Sequence, residues 1–223
     1  MEKKNTVLLT VIAVATLLVA VVGATFAYFT ATTDGTGQGE SANVTTTTVG
    51  NVTLNMSATT TTNDLQYPGG YLVVGAKVTG AHTGTTAYNT TYTVNGTVDA
   101  TNVSTSLNWR LYETTAAVAA PVSGCTVKED AAAGETQYYY DDCTVAAAIT
   151  SGTKVTEGTA AAGQVATVTA ALETLTTAAG EGASTYYYLV VEYPNSGNQN
   201  ADQGKTITAA LTSISNGTAA TGA

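Results

Sequence analysis

A single histidine, His82, and only two cysteines, Cys125 and Cys143, occur in this chain of 223 residues. That scarcity excludes most hydrolytic and metal chemistry. A His-Glu-x-x-His zinc site needs two histidines on one helix. A Ser or Cys nucleophile would have to take its base from His82, and Gly80-Ala81-His82-Thr83-Gly84 reads as a solvated loop with no support for a catalytic imidazole. No glycine motif for cradling phosphate is present. Charge is also scarce, at 10% of residues, and it is lopsided, with 16 acidic against 7 basic groups. Such a surface repels nucleic acid and anionic lipid, so neither is expected as a partner. The pairs Glu129-Asp130 and Asp141-Asp142 are adjacent in sequence, and neighbours on a strand point to opposite faces. They read as solvated charge rather than an acid and base pair. The chain is expected to be no enzyme.

The N-terminus carries Glu2, Lys3 and Lys4, then an uncharged apolar run from Val7 to Val22, then Gly23-Ala24-Thr25-Phe26-Ala27. That order is a basic leader, an apolar stretch and a small-residue cleavage site, the pattern of a secretory signal. The run lies near the lower limit of about 17 residues for a membrane-crossing helix, so removal is favoured over retention as an anchor. With Thr25 and Ala27 at the small positions, the cut falls between Ala27 and Tyr28. Its loss takes two lysines and one glutamate away, leaving 5 basic and 15 acidic residues and a formal charge of −10. Contact with the membrane is then confined to export, and the mature chain is secreted, extracellular or on the cell surface.

What is abundant is threonine, valine and tyrosine, the residues that pack well on a pleated surface. Val52, Leu54, Met56 and Ala58 alternate with polar neighbours after Gly50, which marks a half-buried strand. Tyr67-Pro68-Gly69-Gly70 is a turn, and Leu72, Val74, Ala76 and Val78 line the next strand. Tyr88, Thr90, Tyr92, Val94 and Val98 share a face that Asn95-Gly96 is expected to interrupt with a bulge or turn. Leu107, Trp109 and Leu111 alternate with Asn108, Arg110 and Tyr112, placing the lone tryptophan in the core. Residues from Val165 onward fit a strand to Ala170 or a short helix, and the threonines favour the strand. Tyr186 to Tyr193 is apolar on both faces and belongs in the middle of a sheet. Ile207, Ala209 and Leu211 end the series. Eight or nine strands between Gly, Asn and Pro turns describe an all-β, jelly-roll-like β-sandwich of one domain. Tyr28 to Val44, by contrast, is too poor in apolar residues to build a hairpin, and reads as a disordered leader or a strand awaiting a partner.

In an exported chain Cys125 and Cys143 are expected to form a disulfide. The bridge would staple an exposed hairpin that contains Gln137 to Tyr140. Asn198, Asn200 and Asp202 alternate before Gly204 like part of a calcium loop. The closing glutamate is missing and the same residues suit an ordinary turn, so no cofactor is assigned and calcium stays an alternative. Sequons stand at Asn43, Asn51, Asn55, Asn89, Asn95, Asn102 and Asn216, candidate glycosylation sites in a source that glycosylates exported proteins.

Three stretches, Gly23-Ala24-Thr25-Phe26-Ala27-Tyr28-Phe29-Thr30, Gly50 to Ala58 and Leu65 to Gly70, resemble the TasA/camelysin family of exported proteins. That family includes bacterial biofilm-matrix fibre proteins and is related to archaeal bundling-pilus subunits. The resemblance covers about a third of the chain. It implies a signal peptide at 1–27, a donor-strand segment at 28–43 and a sandwich at 44–223. It also implies a homopolymer: the segment beginning Tyr28, Phe29, Thr30, Ala31, Thr32 would complete the sheet of the next subunit by β-strand addition, and head-to-tail addition grows a filament. The protease activity described for camelysin has no metal-binding motif here to carry it. Low lysine content and the cysteine pair depart from the bacterial fibre proteins and leave an archaeal pilus open. The competing reading is a membrane-tethered surface adhesin or carbohydrate-binding module.

Overall fold

The computed structural model describes residues 41–49, 52–60, 67–82, 86–130, 136–177, 182–196, 199–202 and 204–221, all within the unit Glu40–Ala223. The expected signal sequence, its expected junction at Ala27 and Tyr28, and the expected donor segment as far as residue 40 lie outside these residues. Along the chain run β1 (Ser41–Val49), β2 (Val52–Thr60), β3 (Tyr71–Ala81), β4 (Tyr88–Asp99), β5 (Leu107–Thr114), β6 (Val122–Ser123), β7 (Thr126–Asp130), β8 (Gln137–Asp141) and β9 (Thr144–Val145). The helical turn α1 (Ala147–Thr150), β10 (Thr153–Ala160), β11 (Val165–Thr177), β12 (Gly182–Glu192) and β13 (Thr208–Thr221) follow, with a 3-10 turn at Asn200–Asp202. The chain is all-β, as its composition demands.

Two antiparallel sheets hold nine of the strands: six in the order β1-β2-β3-β12-β5-β10, and three in the order β11-β4-β13. Their facing sides share one apolar core. Val52, Leu54, Met56 and Ala58 of β2 are fully buried, and Leu72, Val74 and Val78 of β3 continue the layer. Leu107, Trp109 and Leu111 of β5 extend it. Tyr92, Val94 and Val98 of β4, Val168 of β11 and Leu211 of β13 close it from the smaller sheet. Each buried Val or Leu contributes about 1.5–3 kcal/mol, so alternation alone specifies which way each strand faces. The β12 strand is buried on both sides. Tyr187, Leu189 and Val191 enter the core, while Tyr188 and Val190 join Val73 and Ile149 in a second cluster on the outer side of the large sheet. That second cluster is roofed by the 115–152 segment, through Val118, Val122, Val145 and α1.

Four expectations change. The strand β4 runs unbroken through Asn95-Gly96, with Gly96 opposite Val168 on one side and Leu211 on the other. The irregularity falls on β13 instead, between Leu211 and Ser213. Glycine stands there because a Cβ would collide with the Ala210 carbonyl. The strand β11 extends past Ala170 to Thr177, with a register shift between Ala170 and Glu173. Residues 41–44, grouped with the segment unable to form a hairpin, belong to β1, which pairs with β2 from Ser41 opposite Thr60 to Val49 opposite Val52. His82 is buried, 8% exposed, with its ring edge-on to Tyr88 at 5.1 Å. The inward parity of Gly80 carries on one step past the end of β3 and brings the imidazole inside.

Candidate functional site

The cysteines form the Cys125–Cys143 disulfide at the base of the β7–β8 hairpin. The hairpin docks on the Tyr67 turn: the Tyr140 amide donates to the Pro68 carbonyl at 2.7 Å, and Tyr67 packs against the rings of Tyr138 and Tyr140. Gly69 has a φ of 86° and lies against the Tyr140 carbonyl, so both its backbone angle and its missing side chain are needed there.

Of the calcium candidates, Asn198 lies outside the described residues, while Asn200 and Asp202 sit in the 3-10 turn. Asp202 is 2% exposed and commits both carboxylate oxygens to the scaffold. The Ser104 amide donates to Oδ1 at 2.7 Å and the Tyr193 hydroxyl to Oδ2 at 2.9 Å. Burial pushes this carboxyl up, but hydrogen bonds from Ser104, Tyr193 and Thr105 outweigh it and hold the group below the usual aspartate range. Gln199 ties the same loop to Thr105, Pro194 and Ser196. Among the described residues no group of three His, Cys, Asp or Glu side chains could hold a metal ion.

The sequons scatter rather than converge. Asn51 lies outside the described residues, and Asn43 and Asn216 fall in β1 and β13. Asn89 and Asn102 are exposed, Asn89 accepting a hydrogen bond from Thr176. Asn55 and Asn95 are half-buried, and the Asn95 amide nitrogen donates to Ser215 at 3.2 Å.

Two features converge on β11. The first is its outer edge, one of four that end the two sheets. Edges left bare recruit other strands, and proteins guard them with charge, proline or bulges. The edge strand β10 carries the exposed Lys154 and Glu157 and a register shift between Lys154 and Thr156. The edge strand β13 has two shifts and lies against β1 and β2 of the other sheet. The strand β11 has no Lys, Arg or Pro; its one acid, Glu173, stands at an inward position, and it carries a single register shift and lies against β10 of the other sheet. Its outward residues are Val165, Thr167, Thr169, Thr174 and Thr176, all exposed. The β1 strand is also free of charge and is the strand into which the N-terminal segment leads. It stands at the opposite side of the sandwich from β11.

The second feature is a carboxyl pair between the sheets, which the sequence reading passed over. Glu113 follows Leu107, Trp109 and Leu111 at the next inward position of β5, and Glu173 lies opposite the inward Tyr92. Glu113 and Tyr187 lie within electrostatic reach of the Glu173 carboxyl. Tyr187 and Tyr92 share a hydrogen bond of 2.7 Å between their hydroxyls, and Thr185 donates to Glu113 at 2.9 Å. Burial, first, and the neighbouring acids keep both phenols far above their ordinary range, so they stay neutral. Burial pushes Glu173 up as well; the charge and hydrogen bond of Glu113 add to it, Tyr187 pulls partly back, and the group stands at about 7. On its open side Glu113 borders a cleft of about 370 Å³ with Thr115, Ser151 and Thr153. Two acids facing each other between the sheets without a cation suit holding a proton. The available signal was two acids at core parity.

No family model matches the chain, and neither curated proteins nor solved structures match it. Among the described residues no helix is long and apolar enough to cross a membrane.

Proposed function

We propose that this chain is a non-enzymatic structural subunit of an extracellular filament, a pilus or biofilm-matrix fibre. It is exported by its N-terminal signal and polymerised when the segment after that signal adds as a strand to a neighbouring copy. The carrying observation is the disposition of the edges. The N-terminal segment enters the sandwich at Ser41 on β1, while the β11 edge, whose outward residues carry no charge, lies at the other side of the body. A donor on one side and an acceptor on the other give a contact that does not close on itself, and a non-closing contact grows a fibre. The Cys125–Cys143 disulfide fits an oxidising, extracellular setting. We read the sandwich as a jelly-roll variant. The strands β3, β4 and β5 alternate between the sheets, β10 to β13 do so again, and the 115–152 segment stands where a further pair would cross.

The test compares residues 28–223 with residues 41–223, a truncation that keeps β1 whole, by electron microscopy and sedimentation. Filaments are expected from the first and monomers from the second. Thr169→Lys, which places a charge on the β11 edge, should also halt growth. Filaments from the truncated chain would overturn donor-strand assembly.

A further inference from the structure

We propose that Glu113 and Glu173 form a proton-operated latch between the two sheets: while the pair keeps a proton β5 and β11 stay together, and its departure leaves two like charges that release this end of β11. The inference stands apart from the assembly reading and survives its failure. It rests on geometry. Both acids occupy inward positions on strands of opposite sheets. Glu173 pairs across its strand with Tyr92 and Glu113 with Tyr187, the two phenols share a hydrogen bond, and Thr185 donates to Glu113. The phenols stay neutral, while Glu173 changes charge in the ordinary range of pH.

Among the described residues no cation faces the pair. From β4 and β12 the pair meets Tyr92, Tyr187 and Thr185, all uncharged. From β10 it meets Thr153, because Lys154 and Glu157 lie on the outer side with Tyr112 and Arg110. Arg110 is held there by Glu157 and Glu192, and Lys77 of β3 lies over the Tyr186 ring on the same outer side. The strand β13 and the turn α1 contain no charged residue. Two carboxylates facing each other without a cation cannot both ionise cheaply.

The sign follows from linkage. The unfolded chain releases the Glu173 proton near pH 4.3, whereas the folded chain holds it to about 7. Stability is therefore full below the first value and is lost as pH rises through the second. Because Glu173 is half in water, the expected change is discounted to about tenfold in the opening equilibrium.

The experiment measures hydrogen exchange at the amides of Thr174 to Thr177, corrected for intrinsic rate, together with urea midpoints from pH 5 to 9. The wild type should open about tenfold more at pH 8.5 than at pH 5. Glu173→Gln, whose amide donates to Glu113 at every pH, should flatten the profile and close the strand more tightly than wild type at pH 8.5. Glu113→Gln removes the like charge from the other side and should flatten it too, which keeps the test decisive if one variant folds poorly. A wild-type profile already flat over this range, or an unchanged slope in both variants, overturns the latch. The acids held below their usual range, Asp202 and Glu157, titrate at lower pH and do not enter this window.

Discussion

Replacing Asp202 by alanine distinguishes a scaffold clamp from a calcium ligand, and its magnitude can be worked from two bonds. Tyr193 is fully buried, so its hydroxyl, bonded to Asp202 at 2.9 Å, has no water to turn to when the carboxylate goes. A buried donor left without a partner costs about 1–3 kcal/mol. The Ser104 amide, bonded at 2.7 Å, belongs to an exposed residue and is partly rehydrated. It adds about 1 kcal/mol. The sum is about 2–4 kcal/mol, or roughly 6–12 °C in Tm near its centre for a body of this size.

Urea unfolding reports it directly, because the one tryptophan, Trp109, is 7% exposed and its fluorescence follows the core. Tyr193→Phe removes the donor together with the bond, so the double variant should lose less than the sum of the two singles, with a coupling of about 0.5–3 kcal/mol. The pH dependence carries a definite sign. A carboxyl depressed on folding stabilises fully above its unfolded value of about 3.9, and the contribution drains as pH falls through the lower folded value. The difference between wild type and Asp202→Asn should therefore shrink in acid. A loss below about 1 kcal/mol in Asp202→Ala refutes the clamp. So does a wild type that falls to the level of the variant when calcium is chelated, since the carboxylate would then be serving a metal.

Two further outcomes test the packing. Replacing both Cys125 and Cys143 by serine should remove up to about 3 kcal/mol by the chain-entropy argument and open the β7–β8 hairpin to protease. The sandwich core should survive, because among the described residues the hairpin meets the body at its margin, through Tyr140 and the buried Gln137 that accepts from the Gln199 amide; global unfolding on reduction would contradict this. Gly96→Ala should cost about 1–3 kcal/mol, since the new methyl meets the Ala210 backbone in the middle of the small sheet. A urea midpoint within error of wild type would show that the β4–β13 spacing is looser than described.

The strands legible in the sequence are those whose two faces differ in polarity. In β2, β3, β5 and the inner face of β4 most inward residues are apolar and land in the core, with Gly80, Thr90, Gly96 and Glu113 as the exceptions. The strand β1 was not legible, because Thr45 to Thr48 offers no contrast between faces and only its pairing with β2 makes it a strand. Gly96 misled for a different reason. Asn-Gly is a strong local turn signal, yet β4 is paired on both sides and the tertiary partners prevail. His82 was misread because three nearby glycines suggest a loop, whereas the parity of β3 decided its direction. Parity also pointed Glu113 inward. What no local pattern could supply is that Glu173, far along the chain on the other sheet, stands against it. The double-sided apolar run of β12 marked a strand for the middle of a sheet, but not that the 115–152 segment covers its outer side over Tyr188 and Val190.

The formal charge of −9 sets up an apparent conflict with self-assembly, because like-charged copies repel. Where the charges sit removes much of it. Glu113 and Glu173 lie between the sheets, and Asp202 is buried against Tyr193. Glu157 and Glu192 share Arg110, Glu157 also takes Lys154, and Asp141 faces Lys128. The outer side of the small sheet presents Thr91, Thr93, Asn95 and Thr97 between Thr167 and Thr169 on one flank and Ser213 and Ser215 on the other. Among the described residues its single charge is Asp99, which turns back to bond Thr101. A neighbouring copy approaching β11 meets hydroxyls and amides within a distance where the remaining acids are largely screened at physiological salt. On the assembly reading, the scarcity of charge that first set this chain apart keeps the β11 edge approachable, and several of the acids that would otherwise repel a second copy are buried or paired.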